Sequence, residues 1–362
     1  MDKKFFNCTR VLRNALFSRS VTSDANRHPA VYFSGIQPTG IPHLGNYFGF
    51  IKPWLAIQEK ESGVSNLYLS IADYHSLSCG PLDAAQIKRR ILSMTASLLA
   101  CGINPKRTCL FQQSAVAEHT NLMFILGMLQ TVPQLTRQAQ FKEKSMKFRD
   151  GSVPLNLLIY PVLQAADILL YKATHVPVGE DQTQHLRLSR DIAHLFNSFY
   201  KVDYFPIPKQ VTMKSKRVKS LRNPHKKMSK SDPSSLSRID LTDSKEDIFT
   251  KCSKALSDFQ SNITYNVDER PGIANLIAIY CALNAKSPAE VVRECAGLDT
   301  KGFKYKLAEE LDKELSPIRQ RYDELMVNEK YIIDVLDEGS EKARRTAMYI
   351  FDEIKSIVGL RF

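Results

Sequence analysis

Val31-Tyr32-Phe33-Ser34-Gly35-Ile36-Gln37-Pro38-Thr39-Gly40-Ile41-Pro42-His43-Leu44-Gly45-Asn46 begins as a short apolar strand and passes through a loop rich in Gly and Pro. It then opens a helical pattern that runs from about Tyr47 to Glu61. Gly35, Gly40 and Gly45 let the backbone approach a ligand closely. A helix starting after Asn46 offers unpaired N–H groups and the positive end of a dipole, both suited to phosphate. Asn46 serves there as an N-cap or as a ligand contact, and His43 can donate to a phosphate oxygen or a ribose. The spacing is neither the dinucleotide pattern G-x-G-x-x-G nor the P-loop pattern G-x-x-x-x-G-K. A glycine turn with a purely structural role is the competing explanation.

The same alternation continues down the chain. Asn66–Ala72 and Arg107–Gln112 read as strands, and Ala84–Cys101 and Glu118–Thr131 as helices. Strand alternating with helix implies a Rossmann-like parallel sheet with helices on both faces and ligands at the carboxyl ends of the strands. From about Leu236 the strand-like runs stop. Ile273–Ala285, Tyr305–Asn328, Glu329–Asp337 and Glu341–Val358 read as helices, punctuated by Pro271-Gly272, Pro288, Pro317 and Gly339. The expected organisation is therefore an α/β domain over residues 30–235 and an all-helical domain over 236–362.

Composition narrows the class. The 362 residues are 43% hydrophobic and carry a formal charge of +12, a balance that favours polyanionic partners such as RNA. No stretch approaches the roughly 18–20 apolar residues that span a bilayer, so no membrane partner is expected. The seven cysteines form no C-x-x-C pair, which speaks against a metal site and for thiols in a reducing compartment. Residues 1–29 hold six Lys/Arg and two acids, Asp2 and Asp24. If helical, Phe5, Cys8, Leu12 and Leu16 share a face opposite Arg10 and Arg13, the pattern of a mitochondrial transit peptide; a disordered basic tail is the alternative.

A second motif, Lys226-Lys227-Met228-Ser229-Lys230-Ser231-Asp232, lies at the end of a basic run, Met213 to Lys230, that contains eight Lys/Arg and no acid. Such a block is usually a solvated face. Here Lys227 and Lys230 stand three apart with Ser229 and Ser231 interleaved, so ammonium groups and hydroxyls can converge on a triphosphate. A third constellation lies between them. Asp167 interrupts the apolar run Leu158–Leu170, where a carboxylate is costly without a donor. An indole N–H is a donor and nothing else, which suits tryptophan; a local Arg, Lys or backbone N–H would serve equally. Val176-Pro177-Val178-Gly179-Glu180-Asp181-Gln182 reads as a strand end, a turn and a helix start fit for adenine or ribose.

His43-x-Gly45-Asn46 and Lys227-Met228-Ser229-Lys230-Ser231, in that order and about 180 residues apart, resemble the two signatures of class I aminoacyl-tRNA synthetases. Gly35–Gly40, Gln140–Ser145, Tyr160–Tyr171 and Pro177–Gln182 are similar to the tryptophanyl branch, and the resemblance covers residues 30 to about 359. It implies adenylation of L-tryptophan by ATP with Mg²⁺, then transfer to the 3′ end of tRNA(Trp) in the mitochondrial matrix by a homodimer whose helical domain reads the anticodon. It places ATP on Gln37, Pro38, Thr39, Gly45, Asn46, Gly179, Glu180, Asp181, Val218, Lys227, Met228, Ser229, Lys230 and Ser231. His43, Asn46, Lys144, Lys227 and Lys230 would then stabilise charge around phosphorus, with no covalent nucleophile and no protein-held metal. The amino acid falls on Phe33, Gly35, His75, Tyr160, Gln164, Asp167, Ile168, Val176, Val178 and Gln182. Gln164 departs from the Met usual in bacterial relatives, and Tyr160…Gln164…Asp167 is also similar to the pocket of tyrosyl enzymes. The run Lys214–Arg222 is more basic than the branch implies. A nucleotidyltransferase without tRNA and an inactive RNA-binding relative are the other rivals.

Overall fold

The computed structural model describes residues 28–61, 66–148, 151–179, 182–212 and 218–362. The strands are β1 (Tyr32–Ile36), β2 (Leu67–Ile71), β3 (Cys109–Gln112), β4 (His175–Val178) and β5 (Lys209–Thr212). They form one parallel sheet in the order β3-β2-β1-β4-β5. A helical run, α1, leads out of β1: an α turn Leu44–Asn46, a π turn Tyr47–Ile51 and an α segment Lys52–Lys60. There follow α2 (Asp73–Ser76), α3 (Ala84–Ala100), α4 (Glu118–Gly127), α5 (Val132–Thr136), α6 (Ala139–Ser145), α7 (Leu155–Leu169) and α8 (Thr183–Tyr200). The helical half comprises α9 (Lys245–Ser253), α10 (Pro271–Asn284), α11 (Pro288–Glu294), α12 (Thr300–Val327) and α13 (Glu329–Val358). Among the described residues no helix is long and apolar enough to cross a membrane.

Strand alternation sorts the core. Leu67, Leu69 and Ile71 face one layer with Leu44, Trp54 and Leu98, while Tyr68 faces the other with Phe33, Phe111 and Phe196. All of β2 is buried, as a central parallel strand covered on both faces must be. Each fully buried Leu or Ile contributes about 1.5–3 kcal/mol. The helices are started by side-chain caps where the sequence supplies them: Asp83 accepts from Gln86 N at 2.8 Å for α3, and Asp299 accepts from Gly302 N at 2.7 Å for α12.

Two sequence expectations change here. Gly339 does not divide the last helix, which is continuous through it. A Cβ at Gly339 would lie 1.8 Å from the carbonyl oxygen of Leu110, so the glycine is there to let α13 cross β3 at close range. Pro317 likewise sits inside α12 without ending it. The helical half also closes back on the sheet: Ala343, Ala347, Ile350 and Ile354 of α13 join the same core layer as Phe33 and Phe111.

Candidate active site

β1 and β4 are neighbours, yet they pair only at Tyr32 and His175. Beyond that point Ser34 Oγ reaches the carbonyl of Pro177 at 2.9 Å in place of a backbone ladder. The sheet reverses its winding between these strands, so their carboxyl ends open a crevice. The Gly35–Asn46 loop leaves one side of it and Gly179 the other.

The helix start after the first loop is arranged differently from the expectation. His43, not Asn46, is the N-cap, and Asn46 is at N3 of a reciprocal box. His43 Nδ1 accepts from Gly45 N at 3.0 Å and from Asn46 N at 3.4 Å, while Asn46 Oδ1 accepts from His43 N at 3.1 Å. Leu44 N donates to the carbonyl of Ile239 and Tyr47 N to that of His43. The N–H groups of this first turn are therefore already satisfied, which leaves the His43 imidazole as the donor this turn can offer. With Nδ1 accepting, the proton sits on Nε2. Burial, reinforced by the positive charges of Lys230, Lys227 and Arg238, lowers His43 to about 4 and keeps the ring neutral. Gly45 is required under that ring, since a Cβ would stand 2.8 Å from His43 Cε1.

The second motif is brought onto the first. Lys230 Nζ donates to the carbonyl of Gly40 at 2.8 Å and lies 3.3 Å from Thr39 Oγ1. Burial lowers Lys230 to about 8, with Asp240 acting against the shift and Arg238 and Arg90 adding to it. Leu241 N donates to Pro42 O at 2.9 Å, so the strand-like segment after the motif is laced to the first loop. Met228 is buried, with its N–H on the carbonyl of Val218, and Ser231 N donates to Ser229 Oγ. Lys227 is exposed and Lys219 pairs with it through the backbone. Gln37 and Thr39 are exposed, and Pro38 is buried. Glu180, Asp181, Lys214, Lys216 and Arg217 lie outside the described residues.

Several of the residues expected to take the amino acid form a buried polar cluster. Asp167 of α7 is 4% exposed and meets His75 Nε2 at 2.8 Å, His119 Nδ1 at 2.6 Å and Gln113 Nε2 at 2.8 Å on both carboxylate oxygens. Burial alone would raise its pKa; the charge and hydrogen bond of His119, with those of His75, win and hold it well below the usual carboxylate range. The alternative of a donor close in sequence is not what the structure has: the donors are side chains 54, 48 and 92 residues away. Tyr160 connects a second string: its hydroxyl is 2.7 Å from His185 Nε2 and 2.8 Å from Gln140 Oε1, and His185 Nδ1 is 3.1 Å from Gln182 Oε1. Gln164 Nε2 donates weakly to Gln182 Oε1 at 3.4 Å. Lys144 Nζ stands 4.9 Å over the Tyr160 ring, on the amino-acid side of the site. Phe33, Ile168 and Val176 are buried apolar walls, Val178 is half-buried and Gly35 is exposed at the strand end.

Sequence reading missed Gln113, His119, Gln140 and His185. One signal was present. Gln113 and Ser114 directly follow the apolar strand Cys109–Gln112, at the carboxyl end where a parallel sheet binds ligands. His119 and His185 carry no local pattern that separates them from other helical histidines. Among the described residues no group of three or more His, Cys, Asp or Glu is placed to hold a metal ion.

Residues 25–316 match the family of class I tRNA synthetases (W and Y). The chain is 47% identical over 333 residues to the mitochondrial tryptophan–tRNA ligase of Caenorhabditis elegans, covering 92% of each. It is 40% identical over 327 residues to the tryptophan–tRNA ligase of Rickettsia conorii, covering 90% of this chain and 97% of that one. Among solved structures it resembles the tryptophanyl-tRNA synthetase of Campylobacter jejuni complexed with ADP and tryptophan, with a TM-score of 0.77, 30% identity and coverage of 91% and 99%.

Proposed function

This chain belongs to the class I tRNA synthetases of the tryptophan and tyrosine type, and we propose that it activates L-tryptophan with ATP and transfers it to tRNA(Trp) for mitochondrial protein synthesis. The tryptophan carboxylate attacks the α-phosphorus of MgATP, and the bond to the bridging oxygen breaks to release pyrophosphate. A ribose hydroxyl at the 3′ end of the tRNA then attacks the adenylate carbonyl, and AMP leaves. The observation that carries the nucleotide side is the seating of Lys230 on the Gly40 carbonyl, which unites two motifs far apart in sequence at the mouth of the β1/β4 crevice.

The work is positioning and charge stabilisation. His43 Nε2–H and Asn46 hold the α-phosphate region. Lys227, Lys230 and Lys144 neutralise the β- and γ-phosphates and the departing pyrophosphate; Lys144 leaves the Tyr160 ring to do so. Mg²⁺ arrives with the nucleotide, as it keeps most of its waters and needs few protein ligands. The ionised Asp167 accepts from the indole N–H between the apolar walls of Phe33, Ile168 and Val176. ATP–pyrophosphate exchange tests this: tryptophan supports it and tyrosine does not. Exchange driven by tyrosine would overturn the amino-acid assignment and leave the synthetase assignment standing.

Three finer points complete the proposal. Residues 30–235 form the catalytic domain and 236–362 the anticodon-reading domain. In its support, a groove of about 1240 Å³ runs between α9 and α12, where Phe249, Phe259 and Tyr305 stand beside Lys301 and Lys304. Exposed aromatics beside cations suit unstacked loop bases. The active form is a homodimer through the exposed apolar side chains Phe124, Met128, Val132 and Leu155, which α4, α5 and the start of α7 present; isolated Leu on a surface is ordinary, but a Phe 83% exposed beside such neighbours is not. Residues 1–29 direct the chain to the matrix, in keeping with relatives named as mitochondrial; a fluorescent fusion of this segment enters mitochondria, and a diffuse cytosolic signal would defeat the targeting.

A further inference from the structure

We propose that Gln113 and His119 are positioning residues that fix the carboxylate of Asp167 in one orientation and so set the selectivity for tryptophan. The inference rests on the proposed role of Asp167 as the acceptor for the amino-acid side chain. It starts from a hydrogen-bond account of the cluster. Gln113 is fully buried, and its Nε2 lies 2.8 Å from both oxygens of Asp167. The amide must present its nitrogen there, because its oxygen would face a carboxylate. The consequence is visible on the other side of the same group: Gln113 Oε1 is buried and has no hydrogen-bond partner among the described residues. A buried acceptor left unpaired is costly, and native structures seldom tolerate one without a compensating role. Here the compensation is the clamp on Asp167.

His119 supplies the second constraint. It is also fully buried, with Nδ1 2.6 Å from Asp167 Oδ1 and Nε2 2.9 Å from the hydroxyl of Tyr171. Burial raises Tyr171 well above the ordinary tyrosine value, so its hydroxyl stays a donor. An ionised carboxylate only accepts, so the imidazole Nδ1 carries a proton pointed at it, while Nε2 is held by the Tyr171 hydroxyl. Tyr171 in turn is stacked on Phe33 at 5.5 Å and on Tyr68 at 4.5 Å between ring centroids. The chain of contacts therefore anchors Asp167 to the apolar core of the sheet. His75 completes the set on Oδ2. Among the described residues no Lys or Arg forms an ion pair with this carboxylate, so the fixed N–H donors of its ring and amide partners hold its charge and its plane. An acceptor locked in this way rewards a ligand with a donor at one point and rejects one without it.

The test reads amino-acid selectivity in ATP–pyrophosphate exchange by the full chain at saturating ATP. Gln113→Met keeps the volume and removes the donor; His119→Phe keeps the ring and removes both nitrogens. Each is expected to raise KM for tryptophan on the order of ten- to a hundredfold and to shrink the preference for tryptophan over phenylalanine by a similar factor. KM for ATP should move by less than about twofold, since the nucleotide contacts lie on other loops. His119→Asn places an amide N–H near the position of imidazole Nδ1 and should recover most of both losses. Variants that remain folded by circular dichroism but keep the full tryptophan preference would overturn the proposal. So would variants that lower kcat and weaken both substrates alike, because that pattern belongs to a general structural role. If Gln113→Met does not fold, the His119→Phe and His119→Asn pair decides the matter alone. An unmutated chain with no tryptophan-dependent exchange would overturn the functional reading itself.

Discussion

In the motif after β5, Lys227 is exposed and Lys230 is half-buried on the Gly40 carbonyl and Thr39 Oγ1, whereas Asp167 is 4% exposed and takes its partners from α2, α4 and the turn after β3. Under the proposed function the two regions face different ligands. A triphosphate brings its own charge and its own metal, so flexible ammonium groups that follow it through the reaction suffice. An indole offers one weak donor and a shape, so discrimination requires an acceptor fixed before the ligand arrives. Fixed, buried donors gather around Asp167, and the more exposed ammonium groups stand at the basic motif.

The largest effect that would sharpen this contrast is expected at Asp167. Asp167→Ala should lower kcat/KM for tryptophan by up to about 10⁴-fold while leaving KM for ATP nearly unchanged, measured by pyrophosphate exchange with each substrate varied in turn. Equal damage to both substrates would break the contrast, since the pocket would then not be separable from the phosphate loops. Lys227→Ala combined with Lys230→Ala should produce the mirror image. Adenylate formation in single-turnover assays is expected to drop by roughly 30- to 1000-fold for each lysine removed, each contact to the transition state being worth about 2–4 kcal/mol, with tryptophan binding retained. Unchanged exchange in that double variant would remove the loop from the site.

A smaller, pH-dependent effect follows from the burial of Lys230. Its depressed value of about 8 means that the free protein loses this charge as pH rises through 8, well before an ordinary lysine would. The value of kcat/KM for ATP should therefore decline above pH 8, and Lys230→Arg, which stays charged, should move the decline to higher pH. A flat profile in the unmutated chain would show that phosphate binding does not depend on this charge. The smallest expected change is Gln164→Met. Among the described residues Gln164 makes only a long side-chain hydrogen bond, to Gln182 at 3.4 Å, so tryptophan kinetics should shift by no more than a few-fold. A large loss would place Gln164 among the selectivity residues and bring the site closer to one that takes tyrosine.

The amino-acid sequence by itself determined the parallel α/β architecture, the helical second half and both phosphate motifs. Each of these is local: period 2 against period 3.6, glycines at a strand end, lysines three apart. Local patterns are legible because backbone conformation and short spacings follow from neighbouring residues. Tertiary structure alone decided the rest. His43 caps the helix in place of Asn46 because the ring folds over Gly45 and reaches two N–H groups that sequence left open for phosphate. Gly339 passes through the middle of α13 because the helix must lie against Leu110, a residue more than two hundred positions earlier. Asp167 finds His75, Gln113 and His119 rather than a nearby cation. Partners brought together by strand order leave no periodicity in the chain, so a buried carboxylate announces that donors must exist, and only the packed sheet decides which they are.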